Sequence, residues 1–472
     1  MSAPGKARAL LRWRPAAGSP LRDRNFRLLT VGQATSTIGD FCYAVALPWF
    51  VLSSHGGTVL LGTVLACYGV PRTALIPVGG VLADKIGPRR LMLTADVARC
   101  LLLVALTVLA ARHLATLAWL APVAALLGAG EGLFMPASFA IMPTLLPAGS
   151  LQAGNAINSA AVQVGTVLGP ALGGTLVATS GPVPAFAIDA ASFAVSAGAL
   201  WLMRPPPAVA AAPAEATAAA EAGLAGQAAA APAAAVAPGA AAGEEAARPS
   251  VWRLLLRSVF FRRVLLISVL ANLTFAGTFE VALPALAHEH YGAGGFGTLM
   301  ACLGVGAVAG TLVAARRLTS ARPMVVASAA FIGAGVFVAL MPFLGGLPGA
   351  AVAALLFGAG IGFGDIIVIT LIQQWSPAAM LGRVMSLLML ASLGIFPVSV
   401  AISGLLVRAL GPVPFFPAAG ATLILGLIIA LASSEVRNFR SAAPPDRQPG
   451  PDAATAPPEP SAASPAPAPS VR

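Results

Sequence analysis

Lysine is almost missing from this chain: Lys6 and Lys85 are the only two in 472 residues. A phosphate-binding loop of the form GxxxxGK[ST] needs a lysine followed by serine or threonine, and Lys6 precedes Ala7 while Lys85 precedes Ile86. The chain therefore carries no ATP site of that kind. Charge of either sign is scarce as well, at 10% of residues against 58% hydrophobic. A soluble domain cannot cover so much apolar surface with so few charges, which leaves an all-α polytopic membrane protein. Aromatic residues make up only 6%, and the basic residues sit where apolar segments end. The net charge of +11 thus reads as membrane topology, and no nucleic-acid surface is expected. Cys42, Cys67, Cys100 and Cys302 lie in apolar segments without CxxC spacing and read as small buried residues. His288-Glu289-His290 is too short a cluster for a metal site without distant partners, so neither metal nor cofactor is implied. Neither HExxH nor GxSxG occurs, which leaves a membrane enzyme without a recognisable motif.

What the sequence does have is apolar segments at about 28–52, 58–83, 91–111, 115–145, 153–178 and 183–203, then at about 264–287, 296–316, 323–343, 348–375, 384–409 and 413–433. Most reach the roughly 20 residues that a spanning helix needs, giving about twelve helices in two sets of six. With both ends of the chain in the cytoplasm, all of the 28 Lys and Arg except Arg72, Arg99, Arg112 and Arg408 fall on cytoplasmic segments. That asymmetry is what the positive-inside rule requires. Residues 1–27 hold basic residues but no short apolar core followed by a cleavage site, so a retained cytoplasmic segment is expected there and not a signal peptide. The divisions that follow are a six-helix bundle over 28–203, a cytoplasmic linker over 204–263, a second bundle over 264–433 and a disordered tail over 434–472. Arg204 to Pro249 is rich in Ala and Pro, has no hydrophobic periodicity and reads as a flexible tether.

The two bundles repeat each other. Gly62-Thr63-x-x-Ala66-Cys67-x-Gly69-Val70 recurs as Gly297-Thr298-x-x-Ala301-Cys302-x-Gly304-Val305, and Val45-Ala46-Leu47-Pro48 recurs as Val281-Ala282-Leu283-Pro284. Gly128-Ala129-Gly130 matches Gly358-Ala359-Gly360. Parallel repeats of six helices place a substrate near mid-membrane between halves that rock.

Two stretches carry the functional signal. Gly80-x-x-x-Asp84-Lys85-x-Gly87-x-Arg89-Arg90 is a charged turn between the second and third apolar segments, in which Gly87 and Pro88 cannot continue a helix. A carboxylate at the end of one helix and arginines at the start of the next can exchange partners when the helices slide, so this is a candidate conformational switch. Asp96 and Arg99, nearer the cytoplasmic surface, are assigned to it. In the fifth segment, Gly165-x-x-x-Gly169-Pro170-x-x-Gly173-Gly174 places bare backbone along a helical stripe, where a neighbour can pack closely and Pro170 bends the helix.

The loop resembles the motif between helices two and three of the major facilitator superfamily, and the helix-five stretch resembles that superfamily's antiporter motif. Gly39-Asp40 ahead of Ala46-Leu47-Pro48-Trp49, Asp96-x-x-Arg99, the run from Pro136 to Asn158, and Leu381-Gly382-Arg383-Val384-Met385-Ser386 resemble the bacterial branch with enterobactin exporters and macrolide efflux pumps. The resemblance implies an exporter working by alternating access, placed as a multi-pass monomer in the bacterial plasma membrane. Gly149 and Ser150 stand where relatives commonly carry charges.

Ionisable side chains at membrane depth are costly unless paired or functional. The candidates for proton coupling or substrate contact are Asp40, Arg72, Glu131, Glu280 and Asp365. Asp189, near the external end of helix six, reads as structural. Repeat symmetry pairs Glu131 with Ile361, and Asp365 lies four residues beyond, so both carboxylates are expected to face a central cavity. A carboxylate there can bind or release a proton near neutral pH. Arg72 can neutralise an acid or touch substrate. A proton-coupled exporter of a small amphipathic or cationic compound explains the switch loop, the helix-five glycines and the buried acids together. An importer or facilitator of the same fold explains all but the helix-five stretch, and a non-transporting receptor would need a signalling module that the tether and tail do not offer.

Overall fold

The computed structural model describes residues 19–54, 56–112, 114, 116–204, 259–317, 322–376 and 381–433. The tether beyond Arg204 and the tail after residue 433 lie outside the described residues, as do the loop residues 318–321 and 377–380. Six helices form the first half: α1 Arg24–Ser53, α2 Gly57–Ile86, α3 Pro88–Ala111, α4 Leu117–Leu145, α5 Ala148–Ser180 and α6 Val183–Leu202. The second half has α7a Val259–Gly277, a π turn Thr278–Ala282 and α7b Leu283–His290 as one continuous span, then α8 Gly292–Arg317, α9 Pro323–Leu340 and α10 Gly346–Trp375. Helix eleven is broken into α11a Leu381–Leu393 and α11b Phe396–Leu410, and α12 is Phe415–Leu431. Among the described residues, eleven helices are long and apolar enough to cross a membrane, and α12 is a shorter apolar helix.

Local chemistry explains the ends that matter here. Asp23 starts α1 by accepting the Phe26 N–H at 2.8 Å. Gly87, at φ 87°, closes α2 by donating its N–H to the Ala83 carbonyl, and Pro88 opens α3. The charged residues sit on the helix ends, as the sequence suggests. Asp84 and Lys85 belong to the last turn of α2, Arg89 and Arg90 to the first turn of α3, and Gly87 alone connects them.

Packing repeats in the two halves. Helix α2 lies on α4 as α8 lies on α10, and α3 lies on α6 as α9 lies on α12. Between the halves, α2 packs on α11b and α5 packs on α8, each the repeat counterpart of the other. Glycines make both crossings. A Cβ on Gly62 would lie 3.1 Å from the Cα of Gly404, and one on Gly297 would lie 2.6 Å from the Cα of Gly174. Gly174 stands to Gly404 in the sequence as Gly128 stands to Gly358, so the two crossings are copies of one contact.

These crossings lie at one end of the bundle. The largest apolar core draws on both halves, joining Leu61, Val64 and Val177 to Leu283, Leu299 and Val400. At the end carrying the Gly87 turn there are two cores instead. One, with Phe26, Ala83 and Met92, belongs wholly to the first half, and the other, with Phe261, Ala314 and Ile372, belongs wholly to the second. The halves are therefore sealed together at the far end and packed separately at the loop end.

Candidate functional site

Gly128 and Gly132 bring α4 so close to α2 that a Cβ on either would overlap a backbone carbonyl oxygen, of Tyr68 and of Arg72 respectively. Glu131, one residue from Gly132, thus meets the two side chains that α2 projects one turn apart. Arg72 Nη2 lies 2.9 Å from Glu131 Oε1, and the Tyr68 hydroxyl donates to Glu131 Oε2. The glycines beside Glu131 serve this helix crossing, and Gly130 rests on the aliphatic part of Arg99.

The adjacent face of α2 looks to the other half. Gly69 packs on Phe396 and Pro397, and Thr73 donates to the Leu393 carbonyl at 3.2 Å, at the break in helix eleven. Glu280 lies in the π turn of helix seven, which touches α2, buries Thr278 and places Val281 and Ala282 in the shared core. Extra-wide turns of this kind frequently mark functional positions, because one inserted residue re-aims a side chain. Glu280 and Asp40 both act electrostatically on Arg72. Asp40 is exposed on α1. Asp365 is half-buried on α10, beside a glycine packed on the Phe331 ring, with no hydrogen bond or ion pair among the described residues. Arg72 and Glu131 therefore pair, Glu280 and Asp40 are within reach of the Arg72 charge, and Asp365 stands apart.

Asp96 and Arg99 sit in the interior of the first half. Both are buried, Arg99 Nη2 is 2.7 Å from Asp96 Oδ1, and Ser196 of α6 donates to Asp96 Oδ2 at 2.6 Å. The guanidinium lies 4.6 Å from the Phe134 ring centroid and 4.2 Å from that of Phe193. Among the described residues, neither forms a hydrogen bond or ion pair with the loop residues with which the sequence grouped them. Asp84 is exposed and in no ion pair among the described residues, and Lys85 and Arg90 are exposed too. Arg89 caps α6, its Nε donating to the Leu200 carbonyl at 2.8 Å and its Nη2 to that of Trp201 at 2.9 Å. Asp189 is buried with Ser192 against Gly39 of α1, next to Asp40 in sequence.

The helix-five glycines divide their work. Gly165 packs on Thr37, Gly169 on Phe41 and Gly173 on Cys42, all in α1, while Gly174 and the Pro170 carbonyl receive Gly297 from the other half. His288 packs against Trp49 across the same sealed end, the rings tilted by 49° with centroids 4.8 Å apart.

Residues 29–396 match the family model described as Major Facilitator Superfamily. The chain belongs to that superfamily. It is accordingly a membrane transporter and not an enzyme. A multidrug efflux pump, Tap of Mycolicibacterium fortuitum, is 29% identical over 38% of this chain and 44% of its own length. The alignment thus covers less than half of that pump. The enterobactin exporter EntS of Citrobacter koseri is 27% identical over 90% of this chain and 95% of its own. Among solved structures, the nucleoside transporter NupG superposes with a TM-score of 0.64 at 12% identity, covering 86% of this chain and 99% of its own. The human organic anion transporter MFSD10 gives 0.55 at 18%, covering 86% and 98%. Identities this low speak for the fold alone.

Tyr68 and Ser196 are the participants that the sequence reading did not single out. Tyr68 carries a signal, standing four residues before Arg72 on one helix. Ser196 lies in an ordinary apolar stretch and carries none.

Proposed function

We propose that this superfamily member is a proton-coupled exporter of a small amphipathic organic cation, working by alternating access in the bacterial plasma membrane with both termini in the cytoplasm. The observation that carries this reading is a difference between two copies of one scaffold. In the second half, Gly358 and Gly362 of α10 press on the carbonyls of Leu303 and Ala307 of α8, as Gly128 and Gly132 press on those of Tyr68 and Arg72. Ile361 stands there where Glu131 stands in the first half. The crossing thus holds with apolar residues at all three positions, so helix packing does not call for Tyr68, Arg72 and Glu131. Ionisable groups kept at membrane depth without a packing need are candidates for function.

Acids outnumber bases among the membrane-depth candidates, with Asp40, Glu131, Glu280 and Asp365 against Arg72, which favours a cationic substrate. Export is supported by the length over which EntS aligns and by the helix-five stretch. With the loop end in the cytoplasm, the arrangement here is the inward-open one. Without an ATP site, the proton gradient is the nearest energy source. The test is accumulation of organic cations, and of neutral and anionic compounds for comparison, by inside-out vesicles under an imposed pH gradient. Uphill uptake of cations into acidified vesicles is expected. Uptake that ignores the gradient, or that runs only downhill, would leave a facilitator.

A further inference from the structure

We propose that Arg72 and Glu280 form an ionic latch between the two halves, holding the far end shut, with Glu131 serving to aim the guanidinium. This rests on the alternating-access reading above, though not on the proton assignment. The latch is built from three elements. Helix α2 belongs to the first half and carries Arg72. Helix seven belongs to the second half, and its π turn, Thr278–Ala282, packs against α2 while its buried side enters the core common to both halves. Helix four, behind α2, fixes one arm of the guanidinium through the 2.9 Å contact with Glu131.

That single contact leaves Arg72 unsatisfied. Its Nε is buried and has no hydrogen-bond partner. Glu280 likewise makes no hydrogen bond or ion pair among the described residues, and with Asp40 it is a carboxylate whose charge reaches Arg72 beyond the direct contact with Glu131. Arg72 is in turn the charged group that acts on Glu280. A guanidinium offers five N–H donors in a planar fork, so it can serve a second carboxylate without leaving the first. Electrostatic attraction also works without direct contact in a region where water is sparse.

Position determines what this attraction does. Arg72 is near the middle of α2, whereas Glu280 lies toward the sealed end of helix seven, under the glycine crossings and the Trp49–His288 contact. Opening the sealed end draws helix seven away from α2 and must separate the pair, while Glu131, in the same half as Arg72, moves with it. The charge pair therefore stabilises the state seen here relative to the state open at the far end. It also gives substrate a means of release: a cation bound beside Glu280 neutralises it and frees the halves to part.

The test reads conformation and not transport. Spin labels are placed at Ser54, after the end of α1, and at Arg408, in the last turn of α11b, both exposed, with the four native cysteines replaced by alanine. The distance distribution is recorded in nanodiscs at one pH, without substrate. Arg72→Gln and Glu280→Gln should each shift the sealed-to-open ratio toward open by at least about fivefold. The double variant should go no further than either single one, and Arg72→Lys, which keeps the charge, should stay close to the parent. A Glu280→Gln distribution identical to the parent's, or single effects that multiply in the double variant, would overturn the latch. Glu280→Gln preserves side-chain shape and leaves Arg72 its Glu131 partner, so it decides the matter alone if Arg72→Gln fails to fold. Because neither substrate nor gradient is present, loss of proton coupling in a separate transport assay leaves this result untouched.

Discussion

Gly174 and Gly297 meet backbone to backbone across the two halves, so that a Cβ added to Gly297 would lie 2.6 Å from the Cα of Gly174 and 2.5 Å from the carbonyl oxygen of Pro170. Neither atom is the end of a flexible side chain, so a methyl here must push two helices apart. Overpacking of this kind costs about 1–3 kcal/mol, and the cost falls only on the sealed state. Gly297→Ala should therefore move the molecule toward opening at the far end, measurable as faster labelling of a cysteine placed at Val400, a buried residue whose carbonyl faces Gly62 across the closure. Gly198→Ala, where an added Cβ meets nothing within 4 Å, is the control and should label no faster than the parent. Equal labelling rates for all three proteins would mean that this crossing does not gate the far end.

The buried group of Asp96, Arg99 and Ser196 should act on stability first. Removing one member of a buried ion pair leaves the other uncompensated, at about 3–5 kcal/mol, whereas losing one neutral donor to a buried acceptor costs on the order of 1–3 kcal/mol. Asp96→Ala should thus lower the unfolding temperature in detergent more than Ser196→Ala does. Arg99→Lys should fall between the parent and Asp96→Ala, because it keeps the charge but loses the planar stack between Phe134 and Phe193. A Ser196→Ala loss as large as that of Asp96→Ala would mean that the hydroxyl, and not the ion pair, holds α3 to α6.

The loop residues should separate in the opposite sense. Asp84 is exposed and unpaired here among the described residues, so Asp84→Asn should leave the unfolding temperature unchanged. If Asp84 finds a cation in the alternate conformation, turnover in vesicles should drop severalfold. Arg89→Ala removes the cap on the last carbonyls of α6 and should cost about 0.5–1.5 kcal/mol of stability per neutral-type hydrogen bond lost, or more for a charged donor. An Asp84→Asn protein that transports at the parental rate would reduce the loop to a topology signal.

The sequence was most legible where a rule acts on many residues together. Helix number, the two-fold repeat and the turn at Gly87 follow from hydrophobic length, matched motifs and a residue able to adopt φ 87°. Side-chain partners are set by approach across space, and the sequence shows them poorly. Glu131 lies near glycines, which suggested an accessible carboxylate, yet those glycines admit α2 and deliver Arg72 and Tyr68 to it. Asp96 and Arg99 stand close in sequence to the charged loop, but the helix carries them inward to Ser196. The hydrophobic pattern reads as one segment over about 384–409 across the break in helix eleven, although Gly394 stands in it and Pro397 follows it. The π turn at Glu280 had no such sign, because a single inserted residue leaves the hydrophobic pattern almost unchanged.

Orientation supplies an independent check on the proposed topology. Charge asymmetry puts the Gly87 turn in the cytoplasm, so Ser54, after α1, and Gly346, at the start of α10, should both lie outside. Reporter fusions active only in the periplasm should score at each, and fusions at Lys85 should not. A cytoplasmic signal at Ser54 or at Gly346 would invert the bundle and turn the inward-open reading into an outward-open one.

Proton coupling, last, is expected to run through Glu131 and Asp40, with Glu280 and Asp365 behind them. Glu131 in this conformation accepts from both Arg72 and the Tyr68 hydroxyl, contacts that favour its charged form. A proton arriving on Glu131 removes one charge from the ion pair, weakens its hold on Arg72 and changes what Arg72 offers to the other half. A carboxylate coupled in this way links the gradient to the rocking of the halves, provided proton and substrate favour different states. Glu131→Gln mimics the protonated form permanently. It should therefore abolish accumulation driven by a pH gradient while sparing downhill exchange, which needs only the rocking itself. Asp40→Asn should do the same if the exposed acid on α1 relays the proton, and only weaken accumulation if it merely shapes the field around Arg72. Tyr68→Phe, which removes one donor and leaves the carboxylate, should retain coupled transport at a reduced rate. Should Glu131→Gln, Asp40→Asn and the double variant all still concentrate substrate under an imposed pH gradient, another acid or another ion carries the coupling.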